Sequence, residues 1–130
     1  MKTIKRIIQH IPSRLTLAAI LFFAISSRVR AHAFLDHADP KVGSTVTNAP
    51  TQIRLWFTQN PEPVFSSVEV QDVHGREVDK KDMRPDEKDK SLLIVSVPPL
   101  SDGKYKVIWH VVSVDTHRTQ GHFEFTIKRK

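Results

Sequence analysis

From residue 34 onwards, apolar and polar residues alternate with a period of two, a pattern typical of half-buried β-strands. Segments that contain Gly, Pro or Asn separate the alternating stretches, and no part of this region shows a helical period. The pattern therefore predicts an all-β fold, a single antiparallel Greek-key β-barrel or sandwich. The predicted strands cover residues 52–57, 67–73, 76–78, 92–97, 104–112 and 122–127.

One segment breaks this alternation. Ten of the twelve residues at positions 79–90 are charged, with both signs present, and Pro85 lies among them. This composition is too polar for a core, so it predicts a solvated connection between two strands. A docking loop is the alternative interpretation of the same residues.

The first part of the chain differs in character from the rest. Residues 1–14 are basic and contain no acid, and residues 15–25 form an apolar run of eleven. That length fits the apolar region of a signal peptide and is shorter than the roughly 20 residues of a membrane-spanning helix. We predict a signal peptide over residues 1–31 and one mature domain over residues 32–130, with no stable membrane insertion after cleavage. A buried or interfacial helix is the alternative.

Two cleavage sites are compatible with the sequence. A cut after Ala31 leaves His32 as the first residue, whereas a cut after Ala33 leaves Phe34 and discards the histidine. The small-x-small rule favours the cut after Ala33. The metal chemistry described below favours the cut after Ala31.

Charge and cysteine content narrow the possible partners. The whole chain has a formal net charge of +6, but six of its 20 basic residues precede position 32 and all 14 acidic residues follow it. The mature chain therefore carries 14 basic and 14 acidic residues, which argues against a nucleic-acid partner. There is no cysteine. Any metal must consequently be bound through nitrogen and oxygen.

Asp115 and His117 are the main candidates for metal ligation. They lie in a loop between two predicted strands, and residues at i and i+2 of an extended segment point the same way. An Asp–His hydrogen bond in a turn would produce the same sequence. A free N-terminal His32 would add an α-amine and an imidazole, and the resulting N₃O set suits tetragonal Cu(II).

The remaining histidines of the mature chain give weaker indications. His37 is close to the predicted N-terminus and could act near a metal site, whereas His74 precedes a turn glycine and is expected at the surface. Strand parity places His110 opposite the apolar residues of its strand, and His122 likewise faces the polar side of its strand. We expect both to be ordinary strand residues.

The chain resembles the periplasmic copper-resistance family CopC and, within it, the YobA type. The combination of a histidine at the mature start with a Trp-x-x-x-Ser-x-Asp-x-His stretch carries most of the resemblance. The matching residues extend over nearly all of residues 32–130; they are residues 32–35, Pro40, residues 50–57, 65–66, 103–107 and 109–115, His117 and residues 121–125.

The resemblance implies a cupredoxin-like or immunoglobulin-like Greek-key fold and a site for one Cu(II) ion per chain. The ligands that it implies are His32, Asp115 and His117. It further implies a monomeric periplasmic copper carrier or buffer, not an enzyme, with an inner-membrane copper transporter of the CopD type as a partner. Some members have a methionine-rich Cu(I) site, which we expect to be missing because Met83 is the one methionine of the mature chain. Gln59 replaces an acidic residue of some members, so no fourth ligand is predicted there.

Two other functions are compatible with parts of this pattern. A copper-dependent monooxygenase would use the N-terminal histidine as a brace, but about 99 residues leave little room for a substrate-binding face, and the carboxylate would occupy a position used for oxygen chemistry. A structural or interaction domain with incidental histidines would have no specific affinity for Cu(II).

Overall fold

The computed structural model describes residues 34–130, so the predicted signal peptide and His32 lie outside the described residues. Two four-stranded sheets make up the domain, with strand orders β1-β3-β6-β5 and β2-β8-β7-β4. The strands are β1 (Leu35–Asp39), β2 (Thr45–Val46), β3 (Gln52–Phe57), β4 (Ser67–Gln71), β5 (Arg84–Pro85), β6 (Leu92–Ser96), β7 (Gly103–Val112) and β8 (Arg118–Ile127).

The two sheets form a Greek-key sandwich, as predicted. The chain changes sheet at every connection from β1 to β5 and again between β6 and β7. All strand pairs are antiparallel except β2 and β8, which run parallel. At this edge the two-residue β2 is joined to β8 by a 2.9 Å bond from the Thr126 amide to the Ser44 carbonyl.

The core lies between the sheets and follows the alternation in the sequence. β3 and β7 bury every second residue, whereas β6 buries four in succession. Apolar side chains on the inner faces of both sheets fill the space between them. The largest fully buried ones are Phe125, Ile53, Leu55, Leu93 and Ile127.

Strand β8 begins four residues earlier than its predicted start at residue 122. Residues 118–121 contain no large apolar side chain, so the alternation of inward and outward positions does not appear there as a hydrophobic pattern. Gly121 takes the inward position and lies opposite Trp109 of β7. A Cβ atom at Gly121 would lie 2.6 Å from Cζ2 of the Trp109 ring, so the glycine leaves room for the indole.

The charged segment at residues 79–90 is more closely bound to the domain than predicted. Its residues Arg84–Pro85 form β5 and pair with β6, and Met83 packs half-buried against the core. Carboxylates fix the remaining backbone: Asp82 accepts a 2.8 Å bond from the Ser96 amide, and Asp86 accepts bonds from two backbone amides within the segment. The prediction of a solvated connection was therefore wrong for its middle part.

Little of the described chain is helical. The helical element within residues 34–130 is a single 3₁₀ turn, Pro63–Phe65, which buries none of its residues. No helix in this part of the chain is long and apolar enough to cross a membrane. Residues 76–78 form one bridge, between Glu77 and Gln71, in place of the predicted strand.

Candidate metal centre

A tight turn between β7 and β8 brings the two predicted loop ligands together. The Ser113 amide donates to the His117 carbonyl at 2.9 Å, and the Thr116 amide donates to the Ser113 carbonyl at 2.8 Å. Thr116 has φ +71°, so the segment is not extended, contrary to the reason given for the prediction. The turn nevertheless places Nδ1 of His117 3.0 Å from Oδ2 of Asp115.

The side chain of Ser113 contacts this turn through hydrogen bonds. It is the buried polar residue of the described core, 1% exposed, and its hydroxyl donates to Oδ1 of Asp115. The same hydroxyl lies 3.2 Å from the His117 carbonyl oxygen. In the sequence, Ser113 is recognisable only as a position of the family motif, with no predicted role. A serine two residues before the aspartate, at an inward-facing strand position, was the available indication.

The surroundings of Asp115 favour its charged form. The hydrogen bond from Ser113 holds the pKa of the Asp115 carboxyl below its ordinary value of 3.8, His117 lowers it further, and partial desolvation opposes both effects. The side chains of Asp115 and His117 are each 42% exposed. Nδ1 of His117 is itself shielded from solvent, with the Asp115 carboxylate as its neighbour.

The separation of the two donor atoms suits a shared metal ion. Nitrogen and oxygen ligands about 2.0–2.1 Å from an ion, at right angles to each other, lie roughly 2.9 Å apart. The observed 3.0 Å between Nδ1 and Oδ2 is close to this value. The pair thus offers one nitrogen and one oxygen donor at a spacing that fits two ligands of the same ion.

One loop, residues 58–62, connects this turn to the start of the described chain. Thr58 exchanges two bonds with Phe34: the Thr58 amide donates to the Phe34 carbonyl at 2.8 Å, and the Phe34 amide donates to the Thr58 hydroxyl at 3.0 Å. Two residues further on, the Asn60 carbonyl accepts a 3.1 Å bond from the Val114 amide. The start of the described chain and the Asp115–His117 turn are thus attached to positions two residues apart.

The other described histidines belong to other parts of the fold. His37 stacks on Trp56, with ring centroids 4.3 Å apart, and its Nδ1 lies 2.8 Å from Oδ2 of Asp36. His110 and His122 lie exposed on the outer face of the β7–β8 sheet, as their strand parity predicted. His74 is exposed in a turn, also as predicted.

Two of the three predicted ligands therefore meet in the described chain. Within residues 34–130, no set of three His, Asp or Glu side chains is arranged to hold a metal ion. The third predicted ligand, His32, precedes the described residues, so its contribution stays a prediction.

Comparisons with known proteins identify the family of this chain. The sequence profile of the CopC domain matches residues 35–128. The chain belongs to the CopC family. It is 37% identical over 119 residues to Protein YobA of Escherichia coli K12, covering 88% of this chain and 94% of that protein. It is 30% identical over 115 residues to copper resistance protein C of Escherichia coli, covering 83% of this chain and 90% of that protein.

A solved CopC structure shares the fold. CopC from Methylosinus trichosporium OB3b is similar with a TM-score of 0.71 and 31% sequence identity, and the match covers 75% of this chain and 95% of that one. The resemblance to the CopC family and the predicted all-β sandwich are thus confirmed.

Two residues that distinguish this chain from some CopC members can now be located. Gln59 lies half-buried in the 58–62 loop, between the residues that contact Phe34 and Val114. Met83 directly precedes β5 and packs against the core, so apolar side chains partly cover it. The predicted lack of a methionine-rich site stays a prediction.

Proposed function

We propose that this CopC-family chain binds one Cu(II) ion in the periplasm and acts as a copper carrier or buffer in copper resistance. The observation that carries the proposal is the 3.0 Å approach of Asp115 and His117, which share a turn fixed by the buried Ser113. A related protein of this family is named copper resistance protein C. The fold, the turn and the relatives support the same interpretation.

His32 completes the proposed ligand set. It precedes Phe34 by two residues, so its Cα lies within about 7 Å of the Phe34 Cα whatever the conformation of the link. Phe34 is attached to Thr58, and the Asp115–His117 turn is attached to Asn60. A cut after Ala31 would place a free amine and an imidazole within reach of the turn.

The proposed ligands suit Cu(II) in particular. Two imidazoles, one amine and one carboxylate form a nitrogen-rich set that copper(II) accepts in a tetragonal arrangement, and copper(II) is at the top of the divalent affinity series. Cu(I) prefers sulfur ligands, and the one methionine of residues 32–130 packs against the core.

Binding requires a ring nitrogen of His117 that carries no proton. With Nδ1 as the ligand atom, the single hydrogen of the neutral imidazole is on Nε2, so the ion enters without a net loss of a proton from that ring. The Asp115 carboxyl needs no deprotonation near neutral pH because Ser113 and His117 hold its pKa below 3.8. We therefore expect the imidazoles and the amine, and not the carboxylate, to set the lower pH limit of binding.

The cellular role follows from the same proposal. A signal peptide over residues 1–31 would export the chain, and the mature domain would act as a monomer that passes copper to an inner-membrane transporter of the CopD type. The Cu(II) ion is cargo in this role, so no enzymatic turnover is expected. Copper-loaded protein supplied with a reductant and oxygen should leave chitin and cellulose unoxidised.

Substitutions in the turn test the proposal. Asp115→Ala and His117→Ala should each lower Cu(II) affinity by more than ~100-fold, beyond the 10–100-fold typical of residues that only support a ligand. Competition titration against a chelator of known affinity measures the change. His74→Ala is the matched control, since it removes an exposed histidine distant from the turn. Equal affinity of all three variants and the unchanged protein would contradict the proposed site.

A further inference from the structure

A groove lies beside the metal turn, on the outer face of the β7–β8 sheet. It has a volume of about 270 Å³ and is bounded on one side by the phenyl ring of Phe65. The strands on its other side are β7 and β8, close to the hairpin end that carries the Asp115–His117 turn. The full set of lining residues is Phe65, His110, Val111, Val112, Arg118, Thr119 and Gln120.

The backbone around Phe65 is held firmly although its side chain is not buried. The Glu62 amide donates to the Val112 carbonyl at 2.7 Å, and the Ser66 hydroxyl accepts a 3.1 Å bond from the Val112 amide. These bonds fix the Pro63–Phe65 turn against the end of β7. Phe65 is nevertheless 69% exposed, and its neighbour Val64 is 85% exposed. The domain thus orders two apolar side chains that contribute nothing to its core.

Exposed apolar side chains are concentrated in the segments around the 58–62 loop. Of the six large apolar side chains exposed in residues 34–130, four belong to the three segments joined by the 58–62 loop: Phe34, Val64, Phe65 and Val114. Val64 and Phe65 are consecutive residues, and grouped exposed apolar side chains of this kind mark interaction sites.

One permanent positive charge lines the groove. It belongs to Arg118, and no carboxylate lines the groove. Within residues 34–130, no Asp or Glu side chain lies within ion-pair distance of the Arg118 guanidinium. A carboxylate of a binding partner would therefore meet an available guanidinium beside an apolar wall.

We propose that this groove docks an extended segment of a protein partner in which an apolar side chain lies next to a carboxylate. The apolar side chain packs on Phe65 and Val112, and the carboxylate pairs with Arg118. Because the groove adjoins the Asp115–His117 turn, a docked partner lies beside the proposed copper ligands. That last consequence rests on the proposed function, whereas docking itself does not.

Peptide titration followed by ¹H–¹⁵N NMR tests the proposal on the mature protein. The probe is a capped pentapeptide, Gly-Phe-Asp-Leu-Gly, and the comparison peptides replace its aspartate by lysine or both of its apolar residues by serine. We expect saturable shifts of the Phe65, His110, Arg118 and Gln120 amides with a Kd on the order of 1 mM. The comparison peptides should bind at least about fivefold more weakly, a difference of about 1 kcal/mol.

Two variants and a control distinguish docking in the groove from nonspecific binding. Phe65→Ser should abolish the shifts, and Arg118→Glu should reverse the preference so that the lysine peptide binds better. Val73→Ser, which removes an exposed valine in a distant turn, should change nothing. Shifts that do not saturate by about 10 mM, or that are the same for the acidic and lysine peptides, would overturn the proposal.

Evidence that something other than an acidic peptide segment occupies the groove would also overturn the proposal. Concentration-dependent shifts of the same amides without peptide would indicate a second copy of the chain, and binding to anionic vesicles in place of the peptide would indicate a membrane. Cu(II) affinity is measured for each variant in parallel, so that an effect on metal binding is distinguished from an effect on docking. Peptide binding by a protein without Cu(II) affinity would refute the proposed function and leave the docking site standing.

Discussion

Replacing Gly121 by alanine should destabilise the domain by overpacking. The added Cβ would lie 2.6 Å from Cζ2 and 2.9 Å from Cε2 of Trp109, closer than any ordinary carbon contact. The indole is 6% exposed and also packs edge-on against Phe57 at 5.4 Å, so it cannot move aside freely. Overpacking of this kind costs about 1–3 kcal/mol, and the reduced freedom of alanine in the unfolded chain returns up to ~1 kcal/mol.

We therefore expect Gly121→Ala to lower the free energy of unfolding by about 1–2 kcal/mol and the Tm by roughly 5–10 °C. Urea denaturation followed by tryptophan fluorescence measures the loss, because Trp109 becomes exposed on unfolding. Trp109→Phe removes the ring atoms that the new methyl group meets. The double variant should thus lose less stability than the two single variants added together. A loss below about 0.5 kcal/mol, or strictly additive losses, would refute this account of the packing.

Three further predictions concern the metal turn and the effect of pH. Ser113→Ala should lower Cu(II) affinity by about tenfold, because it removes the hydroxyl that orients Asp115. Ser113→Thr keeps a hydroxyl and should retain most of the affinity. Chelator competition compares the two variants, and equal losses of affinity would contradict the role of the hydroxyl. Cu(II) affinity measured against pH should fall below about pH 6.5 as imidazole protonates, without a separate step from Asp115 between pH 4 and 6. Bonds from backbone amides lower the folded-state pKa of Asp82 and Asp86 below 3.8, so their contribution to stability is complete above that pH and is lost below it. The Tm should accordingly be nearly constant from about pH 7 to 5 and fall below about pH 4, and a Tm that rises on acidification would contradict the assignment.

The strands that the sequence predicted best are those with apolar residues at every second position. β3, β4, β6 and β7 fall within about two residues of their predicted ranges because their inward side chains are large and apolar. β8 was predicted too short because its inward residue at the start is Gly121, whose role depends on the ring opposite it. A pattern of hydrophobicity cannot report a position whose function is to leave space.

The charged segment illustrates a second limit. Composition predicted a solvated connection, yet Asp82 accepts a bond from the Ser96 amide of β6, and Asp86 accepts two bonds from amides within the segment. Carboxylates that cap amides and carboxylates that face water are identical in composition. Long-range pairs such as Asp82 with the Ser96 amide, fourteen residues apart, are decided by the tertiary fold.

For the candidate site, the sequence identified the residues but gave a wrong reason for their convergence. Asp115 and His117 meet because of a turn with a positive φ at Thr116, and not because an extended segment directs them to one side. Two features of the site could not be predicted from the sequence: the hydrogen bond from Ser113 to Asp115, and the attachment of the turn and of Phe34 to the 58–62 loop. Both depend on hydrogen bonds that no spacing rule anticipates.

The central claim is that His32, as a free N-terminus, completes a copper site with Asp115 and His117. Its most direct test compares the Cu(II) affinity of protein that begins at His32 with that of protein that begins at Phe34, both titrated against the same chelator. We predict that the His32 protein binds one Cu(II) ion per chain and that the Phe34 protein binds more weakly by orders of magnitude. Equal affinities of the two forms would contradict the claim.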